Sequence, residues 1–300
     1  MSEITEWLQG HCPDTKEGQT IFNHLEELWG KFRSYADTNF QEELQCGDSG
    51  KFQQRYWEMF LGAWLIDKGF QLLPHRDNGP DITIQLSGLK VFFEAIAPGP
   101  GDGPDKVPEL KPQLWEPGVK LEARDVPSNQ ILMRWTSAFY TKAQQFKKYI
   151  DSGIISTNDS CVIAINSCQL GPFGFDGISN YPAALEAVYP IGPQQVHFTP
   201  DQPSKTTVDL QHRPSIKKSN KSPIKTTPFM NDEFAFISAI IATHKSDAHM
   251  FCYPEHPVAL IHNLHAAVPI ARKQIPADYE YWAEPIDSGL RMRQDPERNI

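Results

Sequence analysis

A chain of 300 residues with 40% apolar and 11% aromatic side chains can bury a real core, which excludes a compositionally disordered polymer. No apolar run reaches the roughly 18–20 residues that span a bilayer, and the acidic opening "MSEITEWLQG" lacks the basic start and apolar run of a secretory signal. A net charge of −9 argues against binding nucleic acid through the overall field, but leaves room for a local basic groove.

The charge is unevenly spread. Residues 1–60 carry eleven Asp/Glu against five Lys/Arg, whereas 201–230 carry six Lys/Arg against two Asp, so a phosphate-binding surface is expected in the second half. The five cysteines (Cys12, Cys46, Cys161, Cys168, Cys252) are odd in number and scattered without zinc-ligand spacing. They read as reduced thiols of a cytoplasmic protein.

In chain order, helical spacing covers 3–9 and 20–44, the latter with Phe22, Leu25, Leu28, Trp29 and Phe32 on one stripe. After the "GDSG" break a strong helix runs over 51–68 and stops at Gly69. Short strands are expected at 70–73, 81–86 and 90–96, followed by a Pro/Gly-rich loop over 97–128, long enough to be functional. A second long helix covers 129–151, started by Ser128 or Asn129 and stopped at Gly153, and "CVIAINS" at 161–167 reads as a buried strand. Further strands are expected at 195–199, 206–210, 234–242 and 258–262, with the Lys/Ser/Pro-rich run 211–228 as a loop inside one domain. The whole is an α/β single domain over 1–300. It has a mixed central sheet flanked by helices, an N-terminal helical segment (1–50), a core (51–167) and a C-terminal α/β extension of that core (168–300).

Three acidic residues stand out. On the helix at 51–68, Glu58 shares a face with Leu61, Gly62 and Leu65. A carboxylate there must be paired, protonated or metal-bound, because leaving it charged and alone costs several kcal/mol. A buried salt bridge to Arg55 or Arg76 is the plainer alternative. Asp81 opens a strand after Pro80, and Glu94 lies near the end of the apolar run "VFFEAIA". If the two strands pair as a hairpin through "SGLK", Asp81 and Glu94 face each other. Two carboxylates so close repel unless a cation lies between them, and an all-oxygen site suits Mg²⁺ or Mn²⁺.

"GPD", twelve residues, then "EAI", preceded by a helix carrying Glu58 and followed by a helix and a strand, resembles the PD-(D/E)XK nuclease superfamily over roughly residues 51–167. The resemblance implies a restriction-endonuclease-like core and metal ligands at Asp81, Glu94 and Glu58, with the Ala95 carbonyl as a further ligand. It implies metal-activated water attacking a phosphodiester, with DNA ahead of RNA as substrate. The chain departs from the family at Ile96, where a lysine is expected two residues after the acid; isoleucine can neither orient nor polarise water. The second helix offers a substitute. Lys142 fills a gap in the apolar stripe Ile131, Trp135, Phe139, Phe146, Tyr149, either snorkelling past the core edge or replacing the absent lysine. Gln145 and Tyr149 match the QxxxY pattern of the RecB-like branch, which implies site-lining roles, and Arg134 is a candidate phosphate contact.

Other signals carry less. "GPGDGPD" (99–105) lacks the Lys-Ser/Thr step of a P-loop. The histidines His244, His249, His256, His262 and His265 have no zinc-site spacing and read as surface or core residues. The basic run "HRPSIKKSNKSPIK" is either a backbone contact for nucleic acid or a solvated loop. The expected function is a metal-dependent DNA endonuclease with nucleic acid as partner and no membrane; the oligomeric state stays open, a dimer included. The alternative is an inactive nuclease-fold module that binds nucleic acid or a protein.

Overall fold

A computed structural model describes residues 3–76, 78–109, 125–198, 206–247, 257–287 and 289–296. The chain opens with α1 (Glu3–His11), α2 (Lys16–Phe32) and α3 (Phe40–Gln45), then the long α4 (Ser49–Asp67). The expected single helix over 20–44 is therefore two. The Asp37 side chain accepts from Asn39 N at 2.8 Å, a local bond that competes with the helical ladder and lets the chain turn. Asp48 caps α4 by accepting from Lys51 N at 2.9 Å, and Gly69, at φ +88°, ends it in the left-handed region.

The hairpin follows. Strands β1 (Ile82–Leu86) and β2 (Leu89–Ile96) pair antiparallel with Ile82 opposite Phe93 and Leu86 opposite Leu89. Ser87 and Gly88, at φ +51° and +87°, form the two-residue turn, the geometry that matches strand twist. The strand expected at 70–73 is only a single bridge, Leu72 to Ile84, with Leu73 N donating to Thr83 O at 2.8 Å. Residues 97–109 of the expected loop run without strand and contain one helical turn at Gly103–Asp105; 110–124 lie outside the described residues. Helix α5 (Ser128–Asp151) then crosses over to β3 (Ser160–Asn166), parallel to β2. Its N-terminal position is Pro127, without the side-chain cap expected from Ser128 or Asn129.

Beyond β3, the short α6 (Ala183–Glu186) precedes β4 (Ile191–His197) and β5 (Thr207–His212), which form their own two-stranded sheet. The basic run, expected as a loop, holds a second hairpin, β6 (Ser215–Lys217) and β7 (Pro223–Lys225). The strand expected at 234–242 starts later, as β8 (Ala239–Thr243), because Asn231 accepts from Glu233 N at 2.9 Å and holds 232–234 in a helical turn. β9 (Ala259–His262) is close to expectation, while β10 (Tyr279–Ile286) and β11 (Gly289–Asp295) were not foreseen. The C-terminal strands complete the main sheet, a seven-stranded mixed sheet in the order β1-β2-β3-β8-β9-β10-β11.

The period-two alternation of strands sorts side chains between two layers. Val91, Phe93, Ala95, Val162 and Ala164 pack with α1–α4, whereas Phe92, Cys161, Ile163 and Ile165 pack with α5 and α6. Trp57 ties α4 to the sheet by donating from Nε1 to Ala164 O at 3.0 Å. Among the described residues no helix is long and apolar enough to cross a membrane.

Gly62 on α4 lies against the Phe32 ring of α2: an added Cβ would stand 2.3 Å from Cδ2. Gly62→Ala should therefore lose about 1–3 kcal/mol through overpacking, despite the ~1 kcal/mol gain in helix propensity. Urea denaturation reads this as a lower midpoint with an unchanged slope.

Candidate functional site

The hairpin register sets the site. With Ile82 opposite Phe93, the residue before β1, Asp81, falls beside Glu94 at the far end of β2. Asp81 is fixed there by the Ala95 backbone N–H, which donates to its Oδ2 at 2.7 Å. Glu94 shares the α5-facing side of β2 with Phe92 and Ile96 and is only 2% exposed. Lys142, from α5, brings its ammonium to 2.5 Å from Glu94 Oε2 and 3.6 Å from Asp81 Oδ2. The gap in the α5 stripe is thus an inward-reaching lysine between the two carboxylates, and snorkelling does not describe it. Ile96 packs at the edge of the α5 core.

Glu58 comes from the other layer. Its Oε2 accepts from Arg55 Nη1 at 2.5 Å and its Oε1 from Gln54 Nε2 at 2.9 Å. This is the salt bridge offered by the sequence as the alternative to a metal role, made with Arg55 and not Arg76. Arg55 in turn bonds Asp37 and Glu43. Gln54 also donates to the Ala95 carbonyl at 3.1 Å and accepts from Ala97 N at 2.8 Å, so it clamps α4 to the end of β2. Sequence reasoning missed Gln54, although its place four residues before Glu58 puts both on one helix face.

Electrostatically Glu58, Asp81, Glu94 and Lys142 form one group. Burial first, and the Asp81 charge second, push Glu58 up to about 8 and Glu94 up to about 7, against the opposing pull of Arg55 on one and Lys142 on the other. Burial is the largest influence on Lys142 and lowers its pKa, but Asp81 and Glu94 together outweigh it and hold the ammonium above its ordinary value. Lys142 is therefore charged at neutral pH. Asp81 and Glu94 share the one ammonium of Lys142.

Tyr149 lies next to Glu94, donates to the Gly79 carbonyl at 3.1 Å and is pushed up to about 12 by burial and the Glu94 charge. Gln145 hydrogen-bonds Tyr149, so the Gln/Tyr pair is at the site. Arg134 is not: eight residues earlier, about 12 Å along the helix, it donates from Nε to Gly99 O at 2.7 Å and packs on Gly101. Of the histidines, His244 bonds Ser167 Oγ, His262 bonds Glu280 and His265 bonds Asp232, each a separate pair. His249 and His256 lie outside the described residues.

Asp81, Glu94, Glu58 and the Ala95 carbonyl are an all-oxygen set of the kind Mg²⁺ or Mn²⁺ prefers. Glu94 Oε1 is buried with no hydrogen-bond partner among the described residues, an acceptor that a cation would satisfy. Glu58 and the Ala95 carbonyl are already engaged by Arg55 and Gln54. Among the described residues, no three His, Cys, Asp or Glu side chains stand in an arrangement that holds an ion as they are. Asp81 and Glu94 would fit a cation only with the Lys142 ammonium displaced, and the other two donors only once Arg55 and Gln54 let go.

Raised carboxylate pKa values mean that the folded state binds more protons than the unfolded one between the ordinary value of 4.5 and about 7–8. Stability should accordingly fall as pH rises through that window. Thermal melts from pH 5 to 8 without divalent metal should show the decline, and Glu94→Gln should flatten it. A wild-type profile that rises over this range would contradict the burial argument.

Compared with protein-family models, curated proteins and solved structures, the chain finds no match in any of the three.

Proposed function

We propose that the chain is a metal-dependent phosphodiester hydrolase acting on DNA, a PD-(D/E)XK-type endonuclease whose lysine has moved from the strand to the following helix. The observation that carries this is the Lys142 ammonium 2.5 Å from Glu94 and 3.6 Å from Asp81. A lysine at position 96 would rise from the same face of β2 as Glu94, which is the face that α5 covers. The helix therefore delivers the same group to the same side.

A Mg²⁺ or Mn²⁺ ion held by Asp81 and Glu94, with Glu58 and the Ala95 carbonyl in reserve, would supply a water of lowered pKa and neutralise charge on the phosphate. Lys142, charged and fixed by two carboxylates, orients the attacking oxygen and stabilises its negative charge. Tyr149, kept protonated by its high pKa, gives its one proton to the Gly79 carbonyl and so holds the segment that leads into Asp81, and Gln145 holds its hydroxyl in position. The described cysteines are unpaired, which fits a cytoplasmic protein.

A second reading, an inactive binding module on the same fold, is favoured by one feature. The Glu58 oxygens and the Ala95 carbonyl already have protein partners, as expected of a site that no longer takes a metal. The two readings part in a cleavage assay on plasmid and linear DNA with Mg²⁺ or Mn²⁺. The nuclease reading expects metal-dependent cleavage, its loss below detection in Asp81→Asn and Glu94→Gln, and a fall of roughly 10²–10⁴-fold in Lys142→Met. Intact DNA under every divalent metal, together with DNA binding that survives loss of both carboxylates, would instead establish the binding module.

A further inference from the structure

A cavity of about 320 Å³ opens beside the carboxylates, walled by Pro74, His75, Arg76, Gly79, Pro80, Thr83, Lys90, Phe92 and Ile154, with Leu73 behind. Its position follows from the hairpin. Thr83 pairs with Phe92 one step from the Ile82–Phe93 pair, so both project to the same side as Asp81 and Glu94. The outer wall is made by residues 73–76 and 79–80, bound along the edge of β1 by Leu73 N to Thr83 O at 2.8 Å and turned back by Gly79 N to Arg76 O at 2.8 Å. Gly79 and Pro80 lead straight into Asp81, and the Gly79 carbonyl is the acceptor for Tyr149. Cavity and carboxylate site share that wall.

The lining has two characters. Phe92, Ile154, Pro74 and Pro80 are apolar, with Phe92 only 7% exposed and otherwise packed in the core. His75, Arg76 and Lys90 bring basic groups, and no carboxylate lines the cavity among the described residues. The described lining is thus basic in a chain of net charge −9. A ligand that matches needs an anionic part for Arg76 and Lys90 and a flat, apolar-faced part for the apolar wall. A metal ion suits neither half, and a simple anion leaves the apolar half unfilled. The volume lies at the lower end of small-molecule sites, enough for one compact ligand and too small for a duplex.

We infer that this cavity binds a single unstacked nucleotide, its base on the apolar wall of Pro74, Ile154 and the exposed part of Phe92 and its phosphate on Arg76 and Lys90, next to the phosphodiester at Asp81 and Glu94. Bases are recognised in this way where they have left the stack, on aromatic faces and with backbone charge neutralised nearby. A base seated here cannot remain paired in a duplex, so the substrate presents an unpaired nucleotide at the cleaved position. The substrate assignment rests on the nuclease reading above; the cavity's ligand does not.

Calorimetric titration of the intact protein, without divalent metal, with deoxyadenosine 5′-monophosphate, deoxyadenosine and inorganic phosphate tests it. The nucleotide should bind at least tenfold more tightly than either fragment. Arg76→Glu with Lys90→Glu, both on exposed or half-exposed positions, should weaken nucleotide binding at least tenfold. Thr83→Tyr, which fills the cavity without emptying the core, should abolish it. Glu94→Gln, which removes a carboxylate but leaves the lining intact, should keep binding. Nucleotide binding with no DNA cleavage would leave the cavity assignment standing and overturn the nuclease reading. Three outcomes would overturn the cavity assignment even if DNA is cleaved: no nucleotide binding up to millimolar concentration, binding unchanged in Thr83→Tyr, or phosphate binding as tightly as the nucleotide.

Discussion

Glu94 is a carboxylate 2% exposed in a strand that is apolar from Val91 onward apart from it, and Lys142 of α5 is paired to it. An ionised carboxylate in such surroundings, alone, is destabilising by several kcal/mol. The Lys142 ammonium at 2.5 Å offsets this, and it can do so only if α5 crosses the sheet directly over the end of β2. The crossover from β2 to β3 fixes that course: both strands are parallel, Phe92, Ile163 and Ile165 face the helix, and Trp135, Phe139 and Phe146 pack down on them. Apolar packing thus sets the helix, and the ion pair sets its register along the strand.

The opposite layer does the same work with different chemistry. Glu58 is also buried, but its compensation is local: Arg55 is three residues away on the same helix, and Gln54 four. Gln54 then extends across to Ala95 and Ala97, so the chain leaving β2 is held by α4 from one side while Arg134 of α5 holds Gly99 from the other. The two layers therefore meet at the end of β2, and the site is where their polar groups converge. That end also starts the long Pro/Gly-rich stretch. Its first residues are fixed by side chains from both helices because they have no strand neighbour to satisfy their backbone groups.

Much of this was written in local sequence. The hairpin could be read from alternation and the Ser87–Gly88 turn, and its register alone brings Asp81 to Glu94. Lys142 was visible as a polar break in a helical stripe, because a periodic pattern makes its own exception conspicuous. What stayed hidden depends on contacts between distant segments. Gln54 acts through Ala95 and Ala97, some forty residues on, and nothing in its neighbourhood marks it beyond its spacing from Glu58. The strands β10 and β11 contain Glu280, Glu284, Arg291 and Arg293 among their apolar residues. β10 is stabilised by pairing with both β9 and β11 and β11 by pairing with β10, contacts that an isolated window does not reveal. The strand expected at 70–73 had the right residues and no partner beyond one bridge. The basic run formed a hairpin in place of a loop for the converse reason, since β6 and β7 satisfy each other.

An ammonium carried on the helix couples the site differently from one carried on the strand. A lysine two residues after the acid is positioned by the same strand, so acid and base move together whatever the layers do. Lys142 and Glu94 belong to different elements, and their separation is set by how α5 sits on the sheet. Tyr149 and Gln145 travel with Lys142, whereas Asp81 travels with Glu94 through its bond to Ala95 N. The site is thus split into a helix half carrying donors and a strand half carrying carboxylates. Any ligand that enters between them must be compensated by Lys142 giving up part of its contact with Glu94. Ile96 fits this arrangement well: an apolar residue there packs under α5 and leaves the helix free to carry the charge.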